Sequence, residues 1–212
     1  MKLDNKLLNT VHCMDCLEFM KTLPDKCIDL VLTDPPYWIG EDIRKADNTW
    51  RKERKQEERR DLEIPCKKYF EEIIRVSKNQ IIRGGNYYIT YLFWSRCYLI
   101  RDKIQTFSWA DSEMAWTSFD SSAKHYRLSR IEFHWWEYKE HPTQKPVWLF
   151  RWCLENYSEQ WMTILDCFAR SWTTWVACKE LWRNYILVEK EPKYVDIINR
   201  RLANTTISLF HS

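Results

Sequence analysis

Three short apolar runs that each lead into an acid constrain this chain most. "CIDLVLT" (27–33) is followed by Asp34-Pro35-Pro36, "MTILDCF" (162–168) carries Asp166, and "NYILVEKE" (184–191) carries Glu189. Runs this short, with little polar alternation, suit strands buried on both faces of a parallel sheet. Between the second and third, "TTWVACKELWR" has helical length and composition. After the third, "PKYVDIINRRL" opens with Pro192 at a favoured first-turn position and spaces Tyr194, Ile197, Ile198 and Leu202 as one helix face. Strand, helix, strand, helix requires parallel pairing, so the fold class is α/β. "QIIRGGNYYITYLFW" (80–94) reads as one or two further strands with Gly84-Gly85 at a turn or a close approach.

At 212 residues the chain suits a single domain, 1–212, long enough to bury a sizeable core. Thirty-three basic against thirty acidic residues leave a net charge of +3, which permits a nucleic-acid partner without announcing one. No apolar stretch approaches the roughly 18 residues that span a bilayer, so the expectation is a cytoplasmic protein with no membrane partner. Of eight cysteines only Cys13 and Cys16 form a C-x-x-C pair, without a second pair or histidines at finger spacing. Reduced structural thiols and no metal are expected. Residues 41–61 hold eight basic and seven acidic side chains, which read as a charged loop. The segment 105–140 has weak periodicity and many aromatic and basic residues, and reads as a substrate-facing insertion.

In an open parallel sheet, ligands sit outside the carboxyl ends of the strands, where Asp34, Asp166 and Glu189 all fall. One such acid alone is ordinarily a cap or turn residue; three in one topology, one of them inside D-P-P-Y, point to a site. The Asp34 carboxylate and the Pro35 carbonyl offer two acceptors, and an exocyclic amine has two hydrogens to give. Tyr37 can stack on the ring that bears the amine. A base inside a duplex cannot reach such a pocket without being flipped out.

"TDPPY" (33–37) resembles the catalytic motif of amino-group DNA methyltransferases. "HPTQKP" (141–146) and "LDCFARSWTTWVACKELWRNYILVEKEPKYVDIINRRL" (165–202) resemble that family's cofactor-closing segment and cofactor-binding half, and 12–37 its usual opening. Catalytic motif first and cofactor loop last is the order of the circularly rearranged β class. The resemblance implies a Rossmann-like S-adenosylmethionine-dependent methyltransferase fold, a mostly parallel twisted sheet with helices on both faces. It implies target recognition within 105–140, double-stranded DNA with a flipped base as substrate, and a restriction endonuclease as a candidate partner. It assigns Asp34, Pro35, Pro36 and Tyr37 to catalysis. It assigns Asp15, Thr143, Gln144, Lys145, Asp166, Phe168, Ala169, Ser171, Thr173 and Glu189 to S-adenosyl-L-methionine, with Glu189 on the ribose hydroxyls and Asp15 near the adenine. D-P-P-Y favours adenine N6 as the methylated amine; cytosine N4 and a DNA-binding relative without turnover stay open as alternatives.

The chain departs from this pattern in one respect. It has 3 glycines and 13 tryptophans. Where the family's cofactor loop reads roughly F-A-G-S-G-T-T-G, this one reads "FARSWTTW", with Arg170, Trp172 and Trp175 in place of glycine. Trp38, Trp109, Trp161 and Trp182 also stand where glycine is usual, and Cys167 replaces a proline. Glycines there allow unusual backbone angles and close ligand approach, so this chain is expected to bind the cofactor poorly or not at all.

Overall fold

The computed structural model describes residues 2–36, 65–104, 111–127, 146–170 and 173–204. Tyr37, Trp38, the charged segment 41–61, Trp109, Thr143, Gln144, Lys145, Ser171 and Trp172 lie outside the described residues, as do parts of 105–140.

The described chain builds one eight-stranded sheet. Its strands are β1 (Thr10–Cys13), β2 (Ile28–Thr33), β3 (Ser77–Arg83), β4 (Tyr98–Asp102), β5 (Ser112–Thr117), β6 (Lys124–Arg127), β7 (Thr163–Asp166) and β8 (Asn184–Glu189), in the spatial order β1-β8-β7-β2-β3-β5-β4-β6. Every pairing from β1 to β3 is parallel, β5 runs antiparallel to both of its neighbours, and β6 is parallel to β4. The helices are α1 (Cys16–Lys21), α2 (Lys67–Val76), α3 (Val147–Tyr157), α4 (Thr173–Glu180) and α5 (Pro192–Asn204).

Alternate residues of the central strands feed two separate cores, one on each face. Leu30 and Leu32 of β2, Ile81 of β3 and Leu187 of β8 pack with Phe150 and Leu154 of α3, Ala177 of α4 and Ile198 of α5. Val31, Ile82, Leu165 and Val188 pack with Phe19 and Met20 of α1 and with Phe70, Ile73 and Val76 of α2. These side chains are at most 3% exposed, and each of those larger than alanine contributes roughly 1.5–3 kcal/mol by leaving water. The three acid-terminated runs are therefore strands covered on both faces, as expected.

The expectation of one or two strands over 80–94 resolves to one. Of residues 80–94 only those up to Arg83 are strand; Gly85–Tyr87 form a 3-10 turn and the chain then loops to Cys97. The reason is steric. Gly84 takes φ 63°, a left-handed value that ends the strand, and a Cβ on Gly85 would lie 2.3 Å from the Trp116 Cβ. The turn is pressed against β5 and cannot run on as sheet. Within 105–140, residues 112–117 form β5 inside the sheet and 124–127 form β6 at its edge, so part of that segment is scaffold.

Two tryptophans confirm that they occupy glycine-type positions. Trp161 and Trp182 have φ of 67° and 59°, a region that bulky residues avoid. They sit in facing turns, the Trp161 N–H donating to the Trp182 carbonyl at 2.7 Å. Arg170 and Trp175 do not share that backbone. Trp175 lies in the first turn of α4 with its indole buried in the core.

Candidate active site

The chain leaves β2 toward β3 on one side and leaves β7 toward β8 on the other, while β2 and β7 are themselves neighbours. That reversal opens a crevice at their carboxyl ends. Asp34 and Asp166 stand there.

Asp166 is buried, and chain donors hold both of its oxygens. Thr33 Oγ1 donates to Oδ1 at 2.8 Å, the Phe168 N–H donates to the same oxygen at 3.1 Å, and Thr174 Oγ1 donates to Oδ2. Burial pushes this carboxyl up to about 6, with the negative charge of Asp34 acting in the same direction and the three donors opposing it. Asp166 thus ties the end of β2 to the loop after β7 and to the first turn of α4. It shapes the loop that its place in the sequence assigns to the cofactor.

Asp34 is about one-fifth exposed, at the mouth of the crevice. The Arg83 Nε lies 3.8 Å from its Oδ1, and the Arg83 guanidinium, itself 4% exposed, also holds Glu113 at 2.6 Å. Pro35 and Pro36 contribute carbonyls and no N–H. The buried Tyr88 hydroxyl lies 2.5 Å from the Pro36 oxygen and 3.2 Å from the Pro35 oxygen.

The other side of the crevice is formed by the ends of β1 and β8. Glu189 is buried opposite Cys13, and its Oε1 accepts the Glu191 N–H at 2.8 Å. Burial raises its carboxyl, while the Glu191 N–H and the Arg170 cation pull it back down. Asp15 caps α1 by accepting from the N–H groups of Leu17 at 2.8 Å and Glu18 at 3.4 Å, and it takes the Tyr69 hydroxyl at 2.7 Å. Burial, then the Asp15 carboxylate, holds the Tyr69 hydroxyl well above its ordinary range. The Tyr69 ring stands 6.1 Å from that of Phe168. Ala169 is pinned by its N–H to the Val188 carbonyl at 3.1 Å, and Thr173 is buried.

The described residues Asp34, Pro35, Pro36, Asp15, Asp166, Phe168, Ala169, Thr173 and Glu189 therefore come together along neighbouring strand ends. Arg83, Tyr69 and Tyr88 join them without having been singled out in the sequence; only Gly84-Gly85 hinted that the chain there approaches something closely. The donor set suits a nucleoside: a buried carboxylate for a ribose diol beside an aromatic and apolar wall. Arg170 is the discordant residue. Its guanidinium stands 5.4 Å over the Tyr194 ring and close enough to Glu189 to perturb it. Among the described residues no group of three or more histidine, cysteine or acidic side chains could hold a metal, all eight cysteines are free thiols, and no helix is long and apolar enough to cross a membrane.

Comparison with known proteins identifies the chain's family and fold. The DNA methylase family model for N6 and N4 enzymes matches residues 88–200. The chain is 28% identical to the Type II methyltransferase M.HinfI of Haemophilus influenzae over a 251-residue alignment covering 93% of this chain and 69% of the relative. It is 25% identical to the Type II methyltransferase M.HpaI of Haemophilus parainfluenzae, over 90% of this chain and 73% of that one. Among solved structures, the cytosine-N4-specific PvuII DNA methyltransferase superposes with a TM-score of 0.65 at 17% identity, over 94% of this chain and 88% of that one. The complex of M1.HpyAVI with SAM gives 0.62 at 18% identity, over 91% and 98%. At these identities the structures speak for the fold.

Proposed function

The chain belongs to the N6/N4 DNA methylase family, and from that premise we propose that it transfers a methyl group from S-adenosylmethionine to the N6 amine of adenine in double-stranded DNA. The observation that carries this reading is the pair of acceptors at the end of β2. Asp34 stands at the switch point beside Asp166, and the Pro35 carbonyl follows it directly. Two acceptors side by side match the two hydrogens of an exocyclic amine. The D-P-P-Y sequence favours adenine over cytosine, whose enzymes more often begin the motif with serine.

The residues that would hold the cofactor are Glu189 on the ribose, with Asp15, Phe168 and Ala169 around the base, and Thr143, Gln144, Lys145, Ser171 and Thr173 by their places in the motifs. When bound, that cofactor supplies an electrophilic methyl group on a sulfonium. The Asp34 carboxylate and the Pro35 carbonyl would take the two amine hydrogens and so orient the nitrogen for attack. During transfer, positive charge would develop on the amine nitrogen, and the Asp34 carboxylate would stabilise it where it develops. The extra amine proton leaves by way of Asp34 to water. Tyr37 takes the stacking role from its place in the motif, and segment 105–140 the reading of the target. Holding amine and methyl in line supplies much of the acceleration, and a restriction endonuclease of the same specificity is the natural partner.

The test is to incubate unmethylated DNA with the protein and methyl-labelled S-adenosylmethionine, then digest to nucleosides. Label in N6-methyladenosine supports the proposal; label in N4-methylcytidine replaces adenine with cytosine. A second reading, a DNA-binding relative that no longer turns over, is favoured by the Arg170 cation beside Glu189. It would show salt-dependent DNA binding with no label transferred at saturating cofactor.

A further inference from the structure

We infer that the end of β3 and the turn after it form a positioning device for the two amine acceptors, with Arg83 aligning the Asp34 carboxylate and Tyr88 fixing the diproline carbonyls. The inference rests on the proposal that Asp34 and Pro35 receive the target amine, and it adds two residues that lie behind them.

Both residues are placed rigidly. Tyr88 is fully buried, with its ring 4.8 Å from that of Phe70 on α2, which is also fully buried. Its backbone belongs to the turn pressed against β5, where Gly84 N–H donates to Met114 O at 2.8 Å and Tyr88 N–H to Gly85 O at 3.1 Å. Two of the three glycines in the chain are spent on this turn, one for its left-handed φ and one for its contact with Trp116. A phenol fixed this way on two sides can hold whatever its oxygen touches, and it touches Pro35 and Pro36.

The division of labour between the two carbonyls follows from proton count. A phenol has one hydrogen to donate. The Pro36 oxygen, at 2.5 Å, takes it; the Pro35 oxygen, at 3.2 Å, keeps lone-pair capacity for an incoming amine. Prolines cannot anchor themselves through an N–H, so an outside donor is the means by which this segment's carbonyl direction is set. Arg83 does the corresponding work for Asp34. Its planar guanidinium holds Glu113 at 2.6 Å with one nitrogen and faces Asp34 with another at 3.8 Å. Glu113 is in turn held by Arg101 at 3.4 Å and Lys103 at 3.3 Å. The cation is thereby fixed from β4 and β5 before it meets the carboxylate.

Neither side chain is a catalytic residue in this account, because neither touches the base. The prediction is for Tyr88→Phe, which keeps the packed ring and removes the one donor. Its kcat for methyl transfer falls about 10- to 100-fold, the scale expected when reacting atoms are misplaced by less than about an ångström. KM for cofactor and for DNA stay within about twofold of the parent. Arg83→Lys keeps the charge but loses the fork, and behaves the same way with a smaller fall. A merely structural role would instead lower thermal stability and leave kcat per folded molecule unchanged.

Asp34→Ala is run beside these variants. If it abolishes transfer while Tyr88→Phe keeps the parent kcat, the positioning role is overturned and the functional reading stands. If Asp34→Ala retains transfer, or the parent protein transfers nothing, the functional reading fails. In that case the inference falls with the reading it rests on; where Asp34→Ala abolishes transfer, a crystal structure of Tyr88→Phe adds a second readout, Pro35 and Pro36 carbonyls rotated from their parent directions supporting the inference and unmoved carbonyls overturning it.

Discussion

Replacing Asp166 with asparagine should make the protein more stable at alkaline pH and slightly less stable in acid. In the unfolded chain this carboxyl titrates near 3.8, and in the fold near about 6. The folded state thus binds the proton more tightly, so the stability Asp166 contributes is fully present below pH 3.8 and lost as pH rises through 6. A gap of about two pH units, at roughly 1.4 kcal/mol each, makes the ionised side chain cost about 3 kcal/mol above pH 7. Asparagine keeps an oxygen for the Thr33 hydroxyl and the Phe168 N–H, and turns its amide toward Thr174, a partner exchange that costs about 1 kcal/mol. The net gain is about 2 kcal/mol at pH 8, or a rise in Tm of roughly 4–8 °C for a chain of this size. Thermal melts followed by circular dichroism from pH 4.5 to 8.5 measure it. An Asp166→Asn protein that melts below the parent at pH 8, or a difference that does not change with pH, would refute the reasoning.

Three further outcomes are expected. Asp34→Ala should lower kcat at least about 10²-fold, the usual cost of removing a group aimed at developing charge, with cofactor affinity by calorimetry unchanged; a fall in affinity alone would contradict this. Trp182→Gly should raise the urea midpoint by the equivalent of about 1 kcal/mol, because φ 59° strains a bulky residue and the indole is 59% exposed with little packing to lose; a lower midpoint would show that its contact with Trp161, 6.0 Å between rings, matters more than the strain. Arg170→Gly combined with Trp172→Gly should tighten S-adenosylmethionine binding about tenfold or more by restoring a compact loop and removing a cation from beside Glu189; unchanged affinity would mean that these substitutions are not what weakens the site.

The sheet centre was legible because its signal is local. A short Ile, Leu and Val run leading into an acid can be read within about seven residues, and β2, β7 and β8 were. The turn after β3 was legible from Gly84-Gly85, but not that it ends the sheet there, because the aromatic-rich 86–94 suits a strand while the contact that ends it is with Trp116, distant in sequence. The partners of the site were hidden for the same reason. Thr33 and Asp166 are 133 residues apart and Tyr69 and Asp15 are 54 apart, and neither pairing leaves a mark on the local pattern. Asp166 was visible as a strand-end acid; that its oxygens are taken by the protein's own donors was not. The surplus tryptophans were informative in both directions. Trp161 and Trp182 kept the left-handed backbone that the missing glycines would have eased, whereas Trp175 found room in the core, where an ordinary helix needs no glycine at all.

The most direct measurement is a crystal structure of the protein on unmethylated target duplex with a cofactor analogue that has no transferable methyl. The account requires an extrahelical adenine whose N6 lies about 3 Å from both an Asp34 carboxylate oxygen and the Pro35 carbonyl oxygen, within ordinary hydrogen-bonding range. An adenine left stacked in the duplex, or an extruded base whose amine meets neither oxygen, would contradict it.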